Sequence, residues 1–167
     1  MANRFDRGFG DARIRRQAQI IVTAKRQIVP AVDPDLDALR EHWTRIESRL
    51  STDGTEAWPV WAVTTRNGGT LIGQVDACVD DTLVCTNLGY YFFPDFWGQG
   101  YATEAIHAIA DHLMRQCIHR LIATVTVGNH ASAQVLKKAG FLFTRIIPGN
   151  DTLRGEPVDD EEYVRTV

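Results

Sequence analysis

The sequence predicts a mixed α/β domain, and three observations carry that prediction. Apolar and polar residues alternate through Leu71–Asp80, the period of a strand with one buried face. Apolar residues recur at steps of three and four around Leu36–Leu50 and Ala102–Leu113, the period of a helix with one buried face. Between such stretches stand turn formers, among them Arg66-Asn67-Gly68-Gly69, Asp80-Asp81 and Gly140.

Residues 1–18 show little apolar periodicity and read as a weakly ordered extension, with the domain proper over 19–167. Ile20, Ile21, Val22 and Ile28 suggest a short strand within Gln19–Val29. Asp33-Pro34 reads as an N-cap followed by proline at the first helical position. Leu36, Leu39, Trp43, Ile46 and Leu50 then form one helical face, ended by Ser51–Gly54. Val60–Val63 and Leu71–Asp80 flank the Asn67-Gly68 signal of a hairpin. A third strand follows Asp81 and ends at Phe93. From Gly100 a helix is expected to about Gln116, with Ala102, Ala105, Ile106, Ile109 and Leu113 inward. Leu121–Val127 reads as a buried strand, Ala131–Lys138 as a short helix closed by Gly140, and Phe141–Ile147 as a strand. Pro148–Pro157 reads as a loop and Tyr163-Val164 as part of a last strand. The order is β-α-β-β-β-α-β-α-β-β.

The composition narrows the functional classes. At 167 residues, 44% hydrophobic and 23% charged, the chain has the make-up of one soluble globular domain. A net charge of −3 gives no bulk attraction to nucleic acid. No apolar run reaches the length of a membrane span, and no signal-peptide pattern opens the chain. Cys78, Cys85 and Cys117 make an odd set without CxxC or metal-type spacing. This predicts free thiols in a reducing, cytoplasmic setting and no bound metal.

One run carries most of the function. Leu88-Gly-Tyr-Tyr-Phe-Phe-Pro-Asp-Phe-Trp-Gly-Gln-Gly-Tyr-Ala-Thr-Glu104 is an aromatic strand stopped by Pro94, a glycine turn, and the first turn of a helix. Glycine lets a backbone approach a bulky anion, and the N–H groups and dipole of a helix start favour phosphate there. Gln99-Gly100-Tyr101 lacks the lysine and hydroxyl of a P-loop. The dinucleotide fingerprint needs a third glycine where Thr103 stands and an acid near position 120, which is Arg120. Both readings fail.

A third pattern fits. Trp97-Gly98-Gln99-Gly100-Tyr101-Ala102 resembles the pyrophosphate loop of the GNAT superfamily of N-acetyltransferases, Gln/Arg-x-x-Gly-x-Gly/Ala. With Gly89-Tyr90, Pro94, Thr103-Glu104-Ala105, Asn129-His130-Ala131-Ser132 and Lys138-Ala139-Gly140-Phe141, it resembles the branch that acetylates ribosomal-protein N-termini. Trp97 stands where the family at large prefers Gln or Arg. The resemblance covers residues 59–147 well and the first thirty poorly. It implies a single α/β (α+β) acetyltransferase domain over 19–167. The sheet would be mixed and mostly antiparallel, with a splayed parallel strand pair and helices on both faces.

The resemblance also implies acetyl-CoA as co-substrate, a primary amine as acceptor, and direct attack in a ternary complex. Pantetheine would pair with the edge Tyr91-Phe92-Phe93 opposite Ala123–Val127, with the backbone near Phe92 polarising the thioester carbonyl. Trp97, Gly98, Gln99, Gly100, Tyr101, Ala102 and Thr103 would hold the pyrophosphate, and Asn129 and Ser132 would contact the pantetheine arm. Relatives often place a glutamate base where this chain has Asn87, so Asp76 on the neighbouring strand is the substitute. Many place a tyrosine acid at the position of Leu136, and Ser132 is the substitute here. Ser132 and Asn129 read equally as capping residues, and Lys137 and Lys138 reach toward a 3′-phosphate or only toward solvent. His107, His112, His119 and His130 read as ordinary surface or core residues, and Trp43, Trp58 and Trp61 as core or wall.

The acceptor is a protein N-terminus or a small amine. The alternatives are an antibiotic or polyamine acetyltransferase, and a non-catalytic acyl-CoA-binding sensor suggested by Asn87 and Leu136. No nucleic-acid or membrane partner is expected, and the chain is a monomer or a homodimer.

Overall fold

The computed structural model describes residues 18–21, 51, 55–65 and 70–167. Eight strands form one sheet: β1 (Ala18–Ile21), β2 (Glu56–Ala57), β3 (Val60–Thr65), β4 (Leu71–Asp80), β5 (Val84–Phe92), β6 (Arg120–Thr126), β7 (Leu142–Leu153) and β8 (Glu156–Thr166). Among the described residues two helices accompany them, α1 (Tyr101–Arg115) and α2 (His130–Lys138). The strand order is β1-β3-β4-β5-β6-β8-β7, with β2 paired to the end of β4. Among the described strands, β5 and β6 form the parallel pair and every other pairing is antiparallel. A parallel neighbour needs a crossover, and α1 supplies it.

The patterns read from the sequence set which faces close. Val75, Ala77 and Val79 of β4 are buried while Gln74, Asp76, Cys78 and Asp80 are half-buried, as the alternation requires. Ala105, Ile106, Ile109, Ala110 and Leu113 of α1 are buried against that face, and Ala102 lies at the margin. α1 and α2 touch each other, so both cover the same side of the sheet. Arg165 of β8 fastens them from below. It donates to the Ala139 carbonyl at the end of α2 (2.9 Å) and to Asp111 of α1.

His112 is the polar exception in that core. It is 7% exposed, meets the edge of the Trp61 ring (80° between planes), and its Nε2 has no partner. Burial, then the nearby Arg115 charge, lowers its pKa from the ordinary 6.5. The folded chain therefore holds a neutral imidazole. Its contribution to stability is complete above the unfolded-state pKa and is lost as pH falls below it, because the unfolded chain takes a proton that the core resists. The melting temperature is expected to drop between about pH 7.5 and 5.5, and His112→Gln to flatten that slope. An unchanged slope in thermal melts of the variant would show that the burial is not felt.

Three expectations are corrected. The Pro148–Pro157 stretch is not a loop: β7 and β8 run through it as one long hairpin closed at Arg154-Gly155 (φ 54° and 86°). Two consecutive positive φ values are those of a type I′ turn, which matches strand twist. Pro148 is tolerated because β7 is an edge strand and the register slips between Ile147 and Asp151. β6 is buried on one face only, with Leu121, Ala123 and Val125 inside and Thr124 exposed. Ser132 does not cap its helix, since Asn129 holds that place. The extension 1–17, the rest of the first strand beyond Ile21, the helix expected after Asp33, Trp43 and the turn 66–69 lie outside the described residues. No helix among the described residues is long and apolar enough to cross a membrane.

Candidate functional site

The site begins where two strands part. β5 and β6 share only two rungs, Val84↔Arg120 and Cys85↔Leu121. Just beyond, the β4–β5 register slips between Cys78 and Val79, so Thr86 is an extra residue in β5. Such a bulge bends its own strand, and here it turns β5 away from β6. Each strand stays paired on its far side, β5 with β4 to Phe92 and β6 with β8 to Thr126. A wedge-shaped opening therefore lies between Leu88–Phe92 and Ala123–Thr126.

Backbone alternation decides what faces that opening. The Phe93 N–H donates to the Ile72 carbonyl (3.0 Å) across β4. The main-chain groups of Phe92 and Tyr90, one and three residues back, accordingly point toward β6. Those of Tyr91 and Phe93 point toward β4, so these two border the opening without offering it main-chain groups. The Phe92 carbonyl is taken by the Trp97 indole N–H (2.7 Å). That bond ties the strand end to the loop that follows and leaves the Phe92 N–H aimed into the wedge.

The loop after Phe93 is a 3₁₀ turn (Pro94–Phe96) and the segment Trp97–Gly100. Trp97 is 64% exposed despite its bond to Phe92. Gly98 and Gly100 have φ of 72° and 86°, which side-chain-bearing residues rarely adopt. A Cβ on either would meet nothing within 4 Å. Gly100 is the N-cap of α1 and gives no side-chain cap, so the first N–H groups of the helix open onto empty space. Gln99 turns its amide back to the Asp95 carbonyl (2.9 Å), and Tyr101 packs edge-on against Phe96. Ala102 and Thr103 follow in the first turn. The result is a concave, main-chain-lined cradle beside the wedge, fit for a pyrophosphate.

The far wall carries the second motif. The Asn129 N–H donates to the Thr126 carbonyl at the end of β6 (2.9 Å), and its Oδ1 caps α2 by accepting from the Ser132 N–H (3.2 Å). The Ser132 carbonyl accepts from the Tyr90 hydroxyl (3.2 Å). Tyr90 thus joins the two sides of the opening, and burial pushes its pKa up. Sequence reasoning quoted Tyr90 only within the Gly89-Tyr90 match and gave it no role in the site; its even-numbered place with Leu88 and Phe92 on the inner face was the available signal.

Asp76 lies across β4 from Gly89, on the face opposite the helices. A Cβ on Gly89 would stand 2.8 Å from Asp76 Oδ2, so the glycine makes room for the carboxylate. Next to it, burial and then the charges of Glu56 and Asp76 push the Cys78 thiol up to about 11. Asn87 faces Cys78 across the ladder. Ser132 and Asp76 therefore flank the opening from opposite faces and are not brought into contact. Leu136 is fully buried. Lys137 sits over the Tyr163 ring (5.9 Å), while Lys138 is exposed. His107 pairs with Asp111 (3.3 Å), and His119 and His130 are exposed. Among the described residues no group of three or more His, Cys, Asp or Glu is placed to hold a metal ion.

Comparison with known proteins agrees with this geometry. Residues 13–142 match the acetyltransferase (GNAT) domain family. An uncharacterized N-acetyltransferase of Bacillus subtilis, YnaD, is 37% identical over 70 residues, 38% of this chain and 41% of that protein. The chain thus matches less than half the length of that curated relative. Among solved structures, the RimL ribosomal L7/L12 alpha-N-protein acetyltransferase superposes with a TM-score of 0.68 at 17% identity, covering 94% of this chain and 98% of that one. The microcin C7 self immunity acetyltransferase MccE, solved with acetyl-CoA and AMP, gives 0.71 at 15% identity over 92% and 94%. At those identities the likeness is one of fold. With the family match spanning most of its length, the wedge and the cradle in place, the chain belongs to the GNAT acetyltransferase family.

Proposed function

We propose that this protein transfers the acetyl group of acetyl-CoA to a primary amine by direct attack in a ternary complex. The observation that carries the reading is the coincidence of a two-rung parallel pair with an uncapped, glycine-led helix start beside it. The first offers strand edges to a pantetheine arm, and the second offers main-chain N–H groups to its pyrophosphate. When bound, acetyl-CoA supplies a thioester carbonyl open to attack.

The chain's own groups then have assigned tasks. Main-chain N–H groups of Gly98–Thr103 bind phosphate oxygens, and Trp97 fixes the loop to the strand end. The Phe92 N–H stabilises the charge that develops on the carbonyl oxygen, the kind of preorganised donor that commonly gives the largest catalytic term. Asn129 holds the arm through its amide nitrogen while its oxygen caps α2. Asp76 takes the proton that the ammonium must lose, directly or through water, and the Ser132 hydroxyl supplies one to the departing thiolate. Approach from opposite faces keeps the two proton transfers apart.

The acceptor is a small amine or a protein N-terminus, in line with the RimL alpha-N-protein acetyltransferase and a spermidine N-acetyltransferase SpeG chimera among the structural neighbours. Release of free thiol from acetyl-CoA in the presence of an amine panel tests the reading. Turnover with at least one primary amine is expected. Tight coenzyme binding without turnover on any acceptor would instead make the chain an acyl-CoA sensor.

A further inference from the structure

The coenzyme reading leaves the Tyr91 side chain without a task. Its main-chain groups pair with β4 opposite Gln74, and its ring stands on the sheet face away from the helices, 52% exposed. The ring is held in place, meeting the Phe93 ring edge-on with centroids 5.6 Å apart and 88° between planes. One exposed aromatic ring is ordinary on a protein surface, so its neighbours decide whether it has a use.

The neighbour that matters is Asp76. It pairs with Gly89, two residues before Tyr91 and on the same face of β5. A Cβ on Gly89 would lie 2.8 Å from Oδ2, 3.2 Å from Oδ1 and 3.3 Å from Cγ of Asp76. All three carboxyl atoms therefore lie over β5, so the side chain leans off its own strand and across the one that borders the wedge. Alternate residues of a strand stand about 7 Å apart. An ammonium group spans such a gap, within hydrogen-bond reach of the carboxylate and within about 6 Å of the ring centroid. Glu56, which accepts from the Trp58 indole N–H (3.0 Å), is on the same face, and its charge adds to that of Asp76 at the Cys78 thiol. The face is thus negative and draws cations. The place also suits the reaction. Phe92, the next residue along, aims its N–H into the wedge, so a nitrogen beside Tyr91 is about one residue step from the carbonyl it would attack. It is on the side of Asp76, which takes its proton.

We infer that the Tyr91 ring binds the acceptor's primary ammonium by a cation–π contact beside Asp76 and thereby selects a cationic amine over a neutral nucleophile. The inference rests on the transfer reading above but concerns recognition and is tested separately. Titration calorimetry on the CoA-saturated full chain would use three probes: 1,4-diaminobutane, the peptide Ala-Ala-Ala-amide, and 1,4-butanediol. At least one ammonium probe should bind, and which one separates a small amine from a peptide N-terminus. The diol should not bind. Tyr91→Leu, which keeps apolar bulk and loses the π face, should weaken the ammonium probe about fivefold or more. Tyr91→Phe keeps the ring and should restore affinity to within about twofold. Phe143→Leu removes an exposed ring (49%) on β7 and should change nothing. Acetyl-CoA affinity should be the same in all three variants, because the main chain of Tyr91 faces β4. Full ammonium affinity in Tyr91→Leu overturns the assignment, as does failure of the native protein to bind either ammonium. Should Tyr91→Leu melt below the assay temperature, Tyr91→Thr, a good strand former, replaces it under the same criteria. Equal binding of diol and diamine to the native chain overturns the assignment without any variant. Ammonium binding that depends on Tyr91 but leads to no acetyl transfer would sink the transfer reading and leave this one standing. Transfer to amines that ignores Tyr91 would do the reverse.

Discussion

Gly100→Val is expected to weaken acetyl-CoA binding by about 100-fold, read as Kd in calorimetry or as KM in a thiol-release assay. Two effects add. Gly100 holds φ of 86°, where a side chain costs about 1–2 kcal/mol and a β-branched one is worse placed still. In addition, the new Cβ enters the empty space over the helix start, where nothing lies within 4 Å. That space is the one the pyrophosphate would fill. The strain acts on folding and the blockage on binding, so a control separates them. Gly155→Val, at the same φ of 86° in the exposed β7–β8 turn, carries the strain without the blockage. It should lower the melting temperature and leave the coenzyme Kd unchanged. Unchanged coenzyme binding in Gly100→Val would end the assignment of the loop.

Ser132→Ala is expected to lower kcat by about 100-fold while changing the acetyl-CoA KM little, if the hydroxyl delivers the proton to the leaving thiolate. The structure makes this a clean substitution. Asn129 does the capping, and the main chain of Ser132 is held on both sides, by Asn129 Oδ1 and by the Tyr90 hydroxyl. Removing the side-chain hydroxyl leaves those bonds intact, and alanine is a good helix former. A loss of kcat with an unmoved melting temperature supports the proton role. Unaltered kcat would leave Ser132 as a helix residue only.

What the sequence revealed and what it hid divide along physical lines. The run from Leu88 to Glu104 was legible because strand, turn and helix start are adjacent in the chain, and each glycine has a local reason. The second motif was legible for the same reason, although the residue expected to cap was one of two, and Asn129 took the role. The splay was not legible from pattern alone. It comes from one extra residue, Thr86, and nothing in Cys85-Thr86-Asn87 announces a register slip. The hairpin was misread because Pro148, Gly149, Asn150 and Pro157 look like loop chemistry. An edge strand with a slip absorbs all of them, and Arg154-Gly155 makes a turn that is usually written Asn-Gly. Asp159 to Glu162 is a run of four consecutive acids, the composition of a solvated segment. Alternation puts half of that run indoors, which only a placed strand can show.

The three thiols have a practical consequence for measuring turnover. Burial pushes Cys85 up to about 12 and, helped by neighbouring carboxylates, Cys78 up to about 11, so neither is a thiolate near neutral pH. Cys117 alone is exposed among them. Disulfide reagents react with thiolates they can reach. A colorimetric assay for liberated CoA thus carries a background of one fast protein thiol per chain, and Cys117→Ser should bring that blank close to zero.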